Sequence, residues 1–432
     1  MPEDRRVMAA VRNLGVLLLD PSLGFCETLV GMPALLGNRR AETSDDLEEW
    51  LQSHWTPLFH GDWLAKPVRG FFRRVSLQID ETEFEERTVS PEAQAWMIRA
   101  LATCCRYWEH QTEGFWPGLQ TAWREMAARL ARFTTDHLRY EGQVTARRFD
   151  FFEDSNGDWE FPLPLYQGLW LDALCDLYRA NERQDPGLLE EIRLWVGTQL
   201  SSLTGDFDRF LQASMPVIVK ARLLQGMNAV QAIPSLYREE LDHLTWLLHA
   251  HLLEQQWDDG SWEGNLSATA EVAASLSRMG SLVLSAACPE ALGRSIAWLQ
   301  AMHGLGRSFP APMAGLRIWE YRLYDIAALL EAGRQLKQTP ILHPEDREIV
   351  SKLYEKWWRF AMGRRVTIPK SQRYGGLWVA GIRYIRERKQ WYRDLRLEPG
   401  SVGRLAYEAL QANLVEPHEL PVDGEPRQSL DA

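Results

Sequence analysis

Four carboxylates stand within or beside long apolar runs, where a charged side chain is costly to keep: Asp172, Glu271, Glu320 and Asp325. Asp172 is flanked by Trp170, Leu171, Ala173 and Leu174. A carboxyl group so placed either pairs with a cation or stays neutral, and a neutral acid in a dry site can serve as a general acid. Asp158 joins this pool from a loop position. Asp172, Glu271, Glu320 and Asp325 are the candidate catalytic residues, and each also fits a capping or ion-paired role. Trp159, Tyr166, Trp170, Trp319 and Tyr324 cluster at the same places, with Tyr321, Trp262 and Trp378 nearby. Their rings could face a cation, stack on a sugar, or simply fill the core. Lys220, Arg317 and Arg322, together with Arg222 and Arg373, fall on the same segments. They could hold a diphosphate by charge-assisted hydrogen bonds or pair with the abundant Asp and Glu.

Metal chemistry finds no support in the pattern. The ten His residues include no H-E-x-x-H run, and His249 and His251 point from different faces of one helix. Neither a metal nor a cofactor is expected. The five Cys (Cys26, Cys104, Cys105, Cys175, Cys288) form no C-x-x-C pair and read as reduced core thiols.

Composition narrows the class further. The chain has 432 residues, 45% hydrophobic and 25% charged, enough for a large core. A net charge of -11 with no basic run argues against nucleic acid as a partner. The N-terminus makes a poor signal peptide and no run reaches the length of a membrane span, so a cytoplasmic location is expected, with peripheral membrane contact left open. Nineteen Trp is far above ordinary core usage, which suits a sugar-stacking groove or a cavity for cations and apolar ligands.

The elements that must position these residues are helices. Ser90-Pro91-Glu92 is a helix start, with a Ser cap and Pro in the first turn. Apolar residues then recur at helical spacing through residues 163–180, 187–203, 214–230, 235–256, 267–284, 289–303, 316–336, 344–362, 376–388 and 402–413. First helices of successive pairs begin near residues 163, 214, 267 and 317, a step of about fifty residues, or two helices and two loops. Six such hairpins imply an all-α (α/α)₆ toroid over residues 45–414. Residues 1–44 then form an N-terminal extension, and the acidic, Pro-containing residues 415–432 a disordered tail.

One segment carries more than rhythm. An apolar helix ending in Gln255-Gln256 runs into Trp257-Asp258-Asp259-Gly260-Ser261-Trp262-Glu263-Gly264, and Ser267-Ala268-Thr269-Ala270 opens the next. Gly157-Asp158-Trp159-Glu160 repeats the pattern 103 residues earlier, two hairpin steps away, and Gln111-Thr112-Glu113-Gly114-Phe115-Trp116 is a weaker echo. Gln256, Gly260 and Trp262 resemble the QW repeat of the terpenoid cyclase and protein prenyltransferase superfamily, which includes squalene–hopene and class II diterpene cyclases. Gly permits the turn, Trp plugs the loop, the Gln amide reaches a neighbouring helix start, and the loop acid faces a positive helix end.

The resemblance implies an isoprenoid substrate, protonated by a carboxylic acid inside an aromatic-lined cavity. The chain departs from the superfamily at its chemical motifs. It has no Asp-x-Asp-Asp tetrad, no Asp-Asp-x-x-Asp magnesium site and no prenyltransferase zinc set. Two further classes therefore stay open. One is a carbohydrate-active (α/α)₆ enzyme, whether glycosidase, lyase or epimerase; the other is a toroid that binds without catalysis.

Overall fold

The computed structural model describes residues 2–19, 51–52, 70–71, 73, 75–77, 82–83, 88–140, 143–148, 166–212, 214–278, 287–304, 318–362, 378–385, 390–394, 396–412 and 414. Thirteen helices run through them: α1 (Pro2–Leu19), α2 (Pro91–Tyr107), α3 (Trp116–His137), α4 (Gln167–Asn181), α5 (Pro186–Gly205), the single turn α6 (Phe207–Phe210), α7 (Val217–Gln231), α8 (Glu240–Glu254), α9 (Leu266–Ser277), α10 (Ala287–Gly304), α11 (Leu323–Gln338), α12 (Pro344–Ala361) and α13 (Pro399–Gln411).

Local signals set most of the starts. Pro occupies the first turn of α2, α3, α5, α12 and α13, where its missing N–H costs nothing. Asp185 caps α5 by accepting from Leu188 N at 3.0 Å, and Asn265 caps α9 by accepting from Ala268 N at 3.1 Å.

Packing then sorts the helices into two layers. Helices α2, α4, α7, α9, α11 and α13 each contact the next, and α13 returns to α2, so an inner ring of six closes. Around it, α3, α5, α8, α10 and α12 pack on α2, α4, α7, α9 and α11. The sixth outer position is filled by α1, which packs on α13. The fold is an all-α (α/α)₆ toroid. Inner helices are buried nearly all round, as elements sandwiched between two packed surfaces must be. At the α4–α7 crossing the backbones touch: a Cβ on Gly226 would stand 2.2 Å from the Gly168 carbonyl oxygen.

Three expectations need correction. The stretch 316–336 is not one helix, because Ile318–Arg322 is a strand and α11 begins at Leu323. The stretch 376–388 is not a helix either; among its described residues lies the strand Gly381–Ile385. Both carry aromatic and β-branched residues among arginines, a pattern that fits a pleated surface as well as a helical face over so few residues. Consequently the sixth hairpin is made from the two ends of the chain. The N-terminal segment, read as an extension, contributes α1 to the toroid, with Val7, Val11, Leu14 and Leu18 buried.

Among the described residues ten short strands accompany the helices: β1 (Val75–Leu77), β2 (Thr82–Glu83), β3 (Thr88–Val89), β4 (Arg139–Tyr140), β5 (Gln143–Val144), β6 (Arg147–Arg148), β7 (Ile318–Arg322), β8 (Gly381–Ile385), β9 (Gln390–Asp394) and β10 (Arg396–Leu397). They form antiparallel sheets in the orders β10-β1-β2, β3-β6, β4-β5 and β7-β8-β9. Several lead straight into inner helices: β3 into α2, β7 into α11 and β10 into α13. Ala380 ties two of these entries together, accepting from Leu323 N at 2.7 Å and donating to Arg396 O at 2.8 Å. The strands thus gather at the N-terminal end of the inner ring.

The Gln256–Trp262 loop is a structural staple. Trp262 is fully buried, with Nε1 donating to Leu252 O at 2.7 Å. The Gln256 amide donates to Ala291 O at 2.8 Å in the first turns of α10, and Glu263 accepts from Val217 N at 3.0 Å at the start of α7. Gly260 has φ 90° and sits against the Arg294 carbonyl, so only glycine fits the turn. The echo at residues 111–116 joins an inner helix to an outer one and does not repeat this geometry. The copy around Trp159 lies outside the described residues, as does the tail. The described cysteines are free and buried, and no helix among the described residues is long and apolar enough to cross a membrane.

Candidate functional site

Each inner helix turns a polar stripe toward the ring's axis: Glu92, Trp96 and Arg99 on α2, Asp172 and Asp176 on α4, Arg222 and Gln225 on α7, Glu271 on α9, Asp325, Glu331 and Arg334 on α11, and Arg404, Tyr407 and Glu408 on α13. On α2, α4 and α7 these positions recur at three- and four-residue intervals, so they share one face of each helix. Arg278, just past α9, joins them.

Deep in the ring, five arginines meet five carboxylates. Arg99 reaches Asp172 and Asp176, each at 2.8 Å. Arg278 bridges Asp172 and Glu331, both at 3.1 Å. Arg404 reaches Glu271 at 2.7 Å and Glu331 at 2.6 Å, while Arg222 pairs with Glu271 and stands 3.6 Å from Glu331. Arg334 holds Glu408 at 2.8 Å. Trp96, fully buried, is surrounded by guanidinium groups, with Arg99 at 4.6 Å and Arg222 and Arg404 at 4.9 Å from its ring. Tyr407 accepts from Arg99 Nη2 at 2.6 Å, and burial pushes its hydroxyl up to about 12.

Such a cluster survives burial only because charge is matched locally. Burial alone would raise the Glu331 carboxyl, but Arg404, Arg222 and Arg278 together hold it well below the usual carboxylate range. Asp176 is lowered in the same way, burial being outweighed by Arg99 and Arg179 together. Five buried polar atoms in this region have no hydrogen-bond partner among the described residues: Ser90 Oγ, Trp96 Nε1, Glu271 Oε2, Arg99 Nη1 and Arg404 Nη1, the last two still standing in ion pairs with Asp172 and Glu271.

Above the cluster, at the N-terminal end of the ring, lies an open cleft of about 160 Å³. Ser90, Glu92 and Ala93 at the start of α2, Arg322 and Tyr324 at the start of α11, Glu398, Gly400 and Ser401 at the start of α13, and Arg73 line it. Arg322 is braced by Asp325 at 2.9 and 3.1 Å, and Asp325 also accepts from Ser267 on α9. Ser401 donates to Glu398 at 3.0 Å, and Arg73 donates to Tyr166 OH at 3.3 Å. Glu92 differs from these. It is partly buried and makes no hydrogen bond or ion pair with any described residue. Burial raises its carboxyl, only partly opposed by Arg222 and Arg404, with Glu398 and Glu271 adding to the rise. Burial likewise pushes the Tyr324 hydroxyl up.

The candidate residues read from sequence fall into four groups. Arg322 and Tyr324 line the cleft, and Tyr166 stands beside it through Arg73. Asp172, Glu271 and Asp325 do face the interior, but each is ion-paired with arginine instead of standing as a lone acid. Two others sit away from the axis. Trp170 is a buried core residue, and Lys220, though on an inner helix, turns outward to His251 Nε2 at 2.9 Å and Gln255 Oε1 at 3.1 Å. Burial lowers the Lys220 amine. Trp319 and Glu320 belong to β7, whose first four side chains are not described; Trp159, Arg317, Asp158 and Arg373 lie outside the described residues. Sequence reading missed Glu92, Trp96, Arg99, Asp176, Arg278, Glu331, Arg334, Arg404 and Glu408. The signal was there: charged residues at helical intervals on helices too apolar to be surface elements. Among the described residues no group of His, Cys, Asp and Glu could hold a metal ion.

No family model matches the chain, and no curated protein matches it. Among solved structures, the crystal structure of a sugar epimerase from a ruminal bacterium superposes with a TM-score of 0.50 at 10% identity, covering 80% of this chain and 93% of that one. At this identity the likeness establishes the shared fold.

Proposed function

We propose that the protein is a carbohydrate-active (α/α)₆ enzyme, with its sugar bound in the cleft at the N-terminal end of the inner ring. The observation that carries this reading is the chemistry of the ring's interior. It is lined by guanidinium, carboxylate and hydroxyl groups, which match the vicinal hydroxyls of a sugar by paired hydrogen bonds. A hydrocarbon entering the same cleft would strip water from Arg73, Arg322 and Glu398 and give nothing back. The cleft holds on the order of ten water-sized positions, comparable to the roughly dozen heavy atoms of a monosaccharide. That the fold is shared with a sugar epimerase supports the same class.

The isoprenoid reading rests on the Gln256–Trp262 loop, and that loop works as a helix staple between α8 and α10. Its acid candidates Asp172, Glu271 and Asp325 are all paired. The two readings separate in one experiment. The purified chain is incubated in D₂O with a panel of aldoses, ketoses and disaccharides, and in parallel with farnesyl and geranylgeranyl diphosphates and squalene. NMR then reads bond cleavage, epimer or isomer formation, and deuterium uptake at sugar carbons. Turnover of a sugar is expected; consumption of an isoprenoid with every sugar untouched refutes the proposal.

A further inference from the structure

We infer that Glu92 is the proton-transfer residue of the cleft, acting directly on the bound sugar. The inference rests on the carbohydrate reading above and adds the group that does the chemistry. Four observations meet at this residue. Glu92 lines the cleft from the first turn of α2, opposite Tyr324 on α11. It makes no hydrogen bond or ion pair with a described residue, whereas Asp172, Asp176, Glu271, Asp325, Glu331 and Glu408 are each tied to arginine. The oxygens of those six are occupied by guanidinium groups, so they are spent on structure. Ser90, two residues before it and 1% exposed, lines the same cleft with a hydroxyl that has no partner among the described residues, a buried polar atom left for a ligand to satisfy. Finally, the full charge of Arg222 and Arg404 lies one layer below, already committed to Glu271 and Glu331.

Both forms of the step balance. In carbonyl–enediol exchange Glu92 in its acid form gives its proton to the carbonyl oxygen, and as carboxylate takes the proton of the adjacent carbon, whose C–H electron pair becomes the C=C bond. In acetal cleavage it protonates the leaving oxygen as the C–O bond breaks, then takes a proton from the water that forms the new C–O bond; water from solvent is the one co-reactant, and no electron is transferred. The same exchange serves carbonyl–enediol chemistry or acetal cleavage, and the D₂O experiment distinguishes them.

The test uses the full-length chain and two variants. Sugar binding is first read by intrinsic Trp fluorescence and calorimetry, then turnover is followed against pH for wild type, Glu92→Gln and Glu92→Asp, with circular dichroism confirming each fold. Glu92→Gln is expected to bind the sugar within about threefold of wild type while turnover falls by roughly a hundredfold or more, the range for loss of a general acid–base group. Glu92→Asp keeps a carboxyl and should retain measurable turnover with a shifted pH profile, whereas the limb due to this group should vanish in Glu92→Gln. Glu92→Gln turnover within threefold of wild type, with an unchanged pH profile, overturns the role of Glu92 and leaves the carbohydrate reading intact. A wild-type chain that binds no sugar of the panel overturns both.

Discussion

Arg404 is the residue through which the ring's charge can be tested most directly. It is fully buried, reaches Glu271 at 2.7 Å and Glu331 at 2.6 Å, and lies against the Trp96 ring. Arg404→Leu removes one guanidinium and leaves two buried carboxylates short of a partner. Breaking a buried ion pair on one side costs about 3–5 kcal/mol. Here Arg222 still serves Glu271, and Arg278 still serves Glu331 at 3.1 Å, so the lower part of that range applies, about 3–4 kcal/mol. Urea unfolding followed by Trp fluorescence reads the loss as a lower midpoint with an unchanged slope.

The same variant carries a pH signature. Glu331 is held well below its ordinary value of 4.5, so its contribution is complete above that pH and declines as pH falls toward the folded value. Without Arg404 the carboxyl is less depressed and loses less on acidification. The stability gap should therefore be full at pH 7 and narrow below about pH 4.5. A midpoint equal to wild type at pH 7, or a gap that widens in acid, refutes the view that the cluster is held by local charge matching.

Three further outcomes follow from the same packing. Trp262→Ala should cost about 3–5 kcal/mol by the same urea assay, since it empties a buried ring site and orphans the Leu252 carbonyl. Gly226→Ala places a Cβ 2.2 Å from the Gly168 carbonyl oxygen, and forcing α4 and α7 apart should lower stability by about 1–3 kcal/mol, seen as an earlier thermal transition. Glu92→Gln should behave oppositely. Because burial raises the Glu92 carboxyl above 4.5, wild type loses stability as pH rises through the window between 4.5 and the folded value. The variant lacks that loss, so it should melt above wild type at neutral pH, with the difference vanishing below about pH 4.5.

What the sequence disclosed and what it concealed divide along one physical line. The helix start at Ser90-Pro91, the apolar spacing and the fifty-residue step are local or periodic, and they lead to the toroid without knowledge of any contact. Ring closure is not local. Nothing in the N-terminal residues announces that Val7, Val11, Leu14 and Leu18 will cover α13, nearly four hundred positions away. Likewise Ile318–Arg322 holds two readings until Gly381–Ile385 arrives beside it to complete the ladder.

The same line runs through the site. Apolar context singled out Asp172 and Glu271, and both are indeed buried, but burial is what a matched ion pair and a poised acid share. The difference lies in the partner, and the partners Arg99, Arg278, Arg222 and Arg404 come from four other stretches of chain. Glu92 escaped notice for the converse reason. In the sequence it is an ordinary first-turn acid behind a Ser-Pro helix start, the most routine position a glutamate can hold. Only the convergence of α11 and α13 on that turn makes it a carboxyl with no ion-pair partner among the described residues at the edge of an open cleft. Which charges the ring leaves unmatched, and with them the proposed chemistry, is a property of six helices together and of no single stretch of residues.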